Sequence, residues 1–86
     1  MRLKQEFIAH QTGDDAVLIP TGKAEFSGIV RGNRTLGCIL ELLSQDRTEE
    51  ELVSAMADRF DAPASQIEAD VRKALNTLRE IGALDG

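Results

Sequence analysis

Glu49, Glu50 and Glu51 stand in a row, His10 is the single histidine and Cys38 the single cysteine. These are the side chains that could hold a metal, move a proton or attack an electrophile, and their spacing argues against each role. Consecutive residues on a helix do not face one point. Thr48 followed by Glu51 instead fits a capping box, and negative charge in a first turn suits the helix dipole. The glutamates therefore read as the start of a helix. His10 sits in a strand-like segment with no Cys, Ser or second His patterned near it, which suits a surface or rim position better than a catalytic base. Cys38 cannot form a disulfide within the chain. It lies between Leu36 and Ile39 in a helical pattern and reads as a small buried hydrophobe, in keeping with a reducing cytoplasm. Met56 reads as core filler. There is no CxxC, HExxH, GxGxxG or P-loop, and "GNRTLG" (32–37) lacks the lysine and hydroxyl residue that would hold phosphate and metal. The sequence predicts a chain that is not an enzyme, with no metal and no cofactor.

Size and charge narrow the classes further. Eighty-six residues are expected to form a single domain, 1–86, burying roughly 60–65% of the surface exposed when unfolded. That allows one core but not a deep catalytic cleft beside it. No apolar run approaches the roughly 20 residues that span a bilayer, and "MRLKQEFIAH" lacks the pattern of a signal peptide. A cytoplasmic protein without membrane contact is expected. The net charge of −5 weakens any case for nucleic acid, because phosphate contacts need clustered Lys and Arg.

The elements that would position these residues come in two blocks, strands over about 5–31 and helices over about 34–82. "EFIAH" (6–10), "AVLIP" (16–20) and "EFSGIVR" (25–31) read as three strands. "QTGDD" and "TGK" supply the turns between them. Pro20 belongs at a strand end or an edge. Gly28, inside the third strand, suggests a bulge or a close backbone approach. Leu36, Ile39, Leu40 and Leu43 recur at helical spacing after a possible N-cap at Asn33 or Thr35. Leu52, Met56 and Phe60 mark a second helix and Ile67, Val71, Ala74, Leu75 and Leu78 a third. Pro63 suits the third helix's first turn, Ser65 with Glu68 forms a second possible capping box, and Gly82 is a natural C-terminal cap. Strands first and helices afterwards predict an α+β fold, with helices on one face of a three-stranded antiparallel sheet.

With no chemistry placed, the sheet edge remains. An edge strand presents unpaired N–H and C=O groups to which an extended peptide can add. Roughly four to six new backbone bonds at about 0.5–1.5 kcal/mol net each would offset part of the ordering cost. The third strand is the candidate: Gly28 would let a guest backbone come close, and Arg31 would meet an acidic residue.

"GNRTLGCILELL", "DRTEEELVSAM" and "ADVRKALNTLREIGAL", in that order and spacing, resemble the PqqD-like family of small proteins, also called RiPP recognition elements after ribosomally made, post-translationally modified peptides. The resemblance runs from Leu3 to Leu84 and includes "MRLKQEF" and "VLIPTGKAEFSGI". It implies a winged-helix-like fold of three antiparallel strands followed by three helices. It also implies that the leader of a precursor peptide docks as an added strand in a groove against the third helix, for presentation to a modifying enzyme, often a radical S-adenosylmethionine (radical SAM) enzyme. On this reading Ser27, Gly28, Ile29, Val30 and Arg31 supply the edge, and Asp70, Lys73, Ala74 and Thr77 the groove wall. The opposite flank of that helix carries Glu68, Arg72 and Arg79. The chain departs from the family at Leu40, where an aromatic is common. It departs again at Gly32 and Ala74, where bulkier residues are common and where small ones would either widen the groove or reflect a smaller local core. Two other functions fit such a fold: a winged-helix DNA-binding regulator, disfavoured by the charge, and a structural or oligomerising subunit. A monomer and a homodimer are both compatible with the sequence.

Overall fold

A computed structural model describes residues 1–22, 24 and 28–86. In chain order the elements are β1 (Arg2–Leu3), β2 (Phe7–Thr12), β3 (Asp15–Pro20), β4 (Val30–Gly32), α1 (Arg34–Leu42), α2 (Glu49–Arg59), α3 (Ala64–Glu80) and β5 (Leu84–Asp85). The α+β expectation holds: β2, β3 and β4 form a three-stranded antiparallel sheet, and three helices follow it. β3 is the central strand. Thr12 pairs with Asp15, so the first hairpin turns on two residues, with Gly13 at φ +60. Glycine at the first central position suits a type II′ turn, whose twist matches that of the strands. Pro20 ends β3 opposite Phe7, beyond the stretch of β3 that pairs with β4, so its missing N–H costs no ladder bond to β4.

Of the expected third strand, residues 25–27 lie outside the described residues, and Gly28 and Ile29 stand outside the ladder. β4 starts at Val30, and Gly28 lies outside it at φ +120. A backbone in that region leaves the extended path, so Gly28 ends the alternation instead of forming a bulge within a strand. Two further strands carry too few residues to show a period: β1 pairs with β5, which sets Leu84 beside Leu3 and Asp85 beside Arg2.

α1 is the centre of the molecule. Asn33, not Thr35, caps it: the Asn33 Oδ1 accepts the Leu36 N–H at 3.1 Å. The expected stripe of Leu36, Ile39, Leu40 and Leu43 is buried, and so are Cys38 and Leu42, because the helix is covered by the sheet on one side and by α2 and α3 on others. Its C-terminal carbonyls are satisfied from elsewhere in the chain. Arg47 Nε donates to the Leu42 carbonyl at 2.7 Å and the Leu3 N–H to the Leu43 carbonyl at 2.9 Å.

α2 begins with the expected capping box, in which the Glu51 N–H donates to Thr48 Oγ1 and the Thr48 N–H to Glu51 Oε1. Donation from Thr48, first by its backbone and then by its side chain, holds the Glu51 carboxyl below the ordinary glutamate value. Leu52 and Met56 are buried, and Phe60 is half-buried beneath the Arg34 guanidinium, 5.5 Å from its ring centroid. α3 starts two residues earlier than the Ser65–Glu68 box requires. Pro63 is its N-cap, without a side-chain bond, and its carbonyl accepts the Gln66 and Ile67 N–H groups. Ser65 is thus already inside the helix. At the other end Gly82, at φ +72, closes a Schellman turn: the Ala83 N–H donates to the Leu78 carbonyl and the Gly82 N–H to that of Arg79.

Candidate functional site

The junction from β4 into α1 builds one wall of a groove. Val30, half-buried, packs against the core cluster, while Arg31 is exposed, the alternation a strand imposes. Gly32 and Asn33 turn the chain, and Thr35 and Leu36 follow in the first turn of α1. α3 builds the facing wall. Its buried stripe of Ile67, Val71, Leu75 and Leu78 leaves Asp70, Ala74 and Thr77 half-buried on one flank, with Lys73 exposed beside them. These two walls enclose a cavity of about 320 Å³, lined by residues of Val30–Leu36 and by Asp70, Lys73, Ala74 and Thr77.

Six of the nine residues assigned from sequence meet in this groove: Val30, Arg31, Asp70, Lys73, Ala74 and Thr77. Gly28 and Ile29 do not line it; Ile29 is 58% exposed, before the strand begins. Ser27 lies outside the described residues. The opposite flank of α3 points elsewhere, since Glu68 and Arg72 line a different depression with α2. Asn33, Thr35 and Leu36 belong to the groove as well. The sequence assigns Asn33 and Leu36 to capping and core, and it contains no signal that they also face a cavity.

Two of those residues decide the shape of the floor. A Cβ built on Gly32 would fall onto the Leu36 side chain, lying 2.9 Å from its Cβ. Gly32 therefore does not widen the groove; Leu36 occupies that space, and the missing side chain lets the helix start close against the strand. Ala74 is different, since its short side chain leaves the α3 wall low.

Among the described residues β4 is paired with β3 alone, so its outer edge carries backbone groups without a sheet partner. β2 is the other edge. Beside it, against α1, lies a second cleft of about 520 Å³ lined by Phe7, Ala9, His10, Gly37 and Leu40 among others. Polar bonding within the first groove is sparse. Gln66 Nε2 donates to Asp70 Oδ1 at 2.9 Å and Thr77 Oγ1 to the Lys73 carbonyl at 3.2 Å. No group of three or more metal-ligating side chains occurs among the described residues, and no described helix is long and apolar enough to cross a membrane.

The profile of the family described as coenzyme PQQ synthesis protein D (PqqD) matches residues 15–84. A comparison with curated protein sequences gave no significant match. A solved structure, TbiB1 in complex with the TbiA(beta) leader peptide, superimposes with a TM-score of 0.74 at 21% sequence identity, covering 99% of this chain and 100% of that one. The two share a fold.

Proposed function

The chain belongs to the PqqD family, and from that premise we propose that it binds the leader of a ribosomally made precursor peptide as an added strand on β4, in the groove against α3. It presents that precursor to a modifying enzyme, such as a radical SAM maturase, and the catalysis belongs to that partner. The protein acts as a non-catalytic adaptor in the cytoplasm. The observation that carries this reading is the groove itself: a strand that pairs, among the described residues, with β3 alone and a helix flank border one cavity. The leader-peptide complex of TbiB1, which has the same fold, supports it.

The energetics fit an open strand edge with an apolar floor. β4 offers three residues, so a guest gains roughly two to four backbone bonds at about 0.5–1.5 kcal/mol net each. That is fewer than a longer strand would give. Side-chain burial over Val30, Leu36 and Ala74 supplies the rest, at about 1.5–3 kcal/mol for each large apolar residue fully buried.

The test is an NMR titration with candidate precursor peptides, sought first among short genes beside this one. Amides of Val30–Gly32 and of the Asp70–Thr77 flank should shift together. Binding that moves β2 amides and leaves β4 unmoved would place the guest on the other edge and overturn the proposal.

A further inference from the structure

The groove has a charge unlike that of the whole molecule. The chain carries −5, yet the groove is lined by two cations, Arg31 and Lys73, and one carboxylate, Asp70. Asp70 already accepts from Gln66 Nε2. Arg31 and Lys73 are exposed, and neither has an ion-pair partner among the described residues. One cation stands on the strand rim and the other on the helix rim, with the apolar floor between them.

Resting on the docking mode above, we infer that the bound segment carries a carboxylate side chain opposite Arg31, flanked on both sides by apolar residues. The order follows from strand geometry. A residue paired across from another on an antiparallel or parallel neighbour points to the same face of the sheet. Guest residues beside Val30 and Gly32 therefore point inward, over Val30, Leu36 and Ala74. The guest residue beside Arg31 points outward with it, where the strand rim and the helix rim both offer positive charge. An apolar residue there would cover the two cations without pairing them, and a lysine would be repelled by both. Asp or Glu at that one position, between two apolar neighbours, distinguishes the leader this groove accepts from other extended peptides.

A display library of random short peptides, selected on the intact protein, tests the inference without knowledge of the precursor. The selected peptides should carry Asp or Glu between two apolar residues and should shift β4 and α3 amides. The Arg31→Glu/Lys73→Glu variant should bind them roughly tenfold more weakly, and replacing the peptide's acid by lysine should restore binding to that variant. Because both side chains are exposed the variant should keep its circular dichroism. The salt dependence of binding to the unaltered protein provides a measurement independent of any variant: affinity should fall as salt rises. Peptides that shift β4 and α3 amides but lack the acid, bind the variant equally well and ignore salt would overturn the charge rule while leaving strand addition standing. Peptides that leave β4 and α3 amides unmoved would overturn both.

Discussion

Ala74 and Gly32 are both small residues at the groove, yet they should respond to enlargement in opposite ways. Ala74 is half-buried on the α3 wall, so Ala74→Phe should fill the cavity from that side. Peptide affinity should drop about tenfold or more, read by fluorescence anisotropy, while the urea midpoint changes little. Gly32 is packed under Leu36, so Gly32→Ala should force that side chain off its site and cost about 1–3 kcal/mol of stability in a denaturant titration. The sequence distinguishes these residues poorly. Helical spacing places Asp70, Lys73, Ala74 and Thr77 on one flank of α3, but which flank looks toward β4 depends on how α3 crosses the rest of the molecule. That crossing is not a local property of the chain.

At the scale of elements, helix starts are legible where the capping chemistry is local. Thr48 and Glu51 satisfy each other's backbone donors, and Asn33 caps α1 over three residues. Thr48→Ala should therefore destabilise by about 1 kcal/mol in thermal or chemical unfolding. The same box has a pH signature. Because the folded Glu51 carboxyl titrates below its ordinary value, the unfolded chain takes up the proton first on acidification. The contribution is full above the ordinary glutamate value of 4.5 and is lost as pH falls through the lower, folded value. Unfolding midpoints measured down this acid range should fall less steeply in Thr48→Ala than in the parent. Strand ends are less legible. "EFSGIVR" alternates well, but Gly28 takes up a positive φ, and among the described residues of that segment the ladder begins only at Val30. β1 and β5 are two residues each, and two residues contain no periodicity to read.

For the molecule as a whole, the β1–β5 ribbon holds the chain's two ends together beneath the helices. Lys4 donates to the Ala83 carbonyl and Leu3 to that of Leu43, so the ribbon also closes the end of α1. Ala83 is fully buried. Ala83→Asp would place an unpaired carboxylate in that position, a class of change that costs several kcal/mol. The variant should lose its cooperative unfolding transition, or show one far below the parent's by differential scanning calorimetry.

Leu36 belongs to two structures at once: it is a core residue, 9% exposed, and it lines the groove. The groove cannot persist once the core has melted, so the denatured chain should have negligible affinity for a peptide docked there. Recognition and folding are then thermodynamically linked, and each reports on the other. At a free peptide concentration a hundred times Kd, the native state should gain about 2.7 kcal/mol, visible as an upward move of the melting temperature that grows with the logarithm of peptide concentration. An unlabelled thermal-shift series would thus measure peptide affinity through the stability of the protein that holds it.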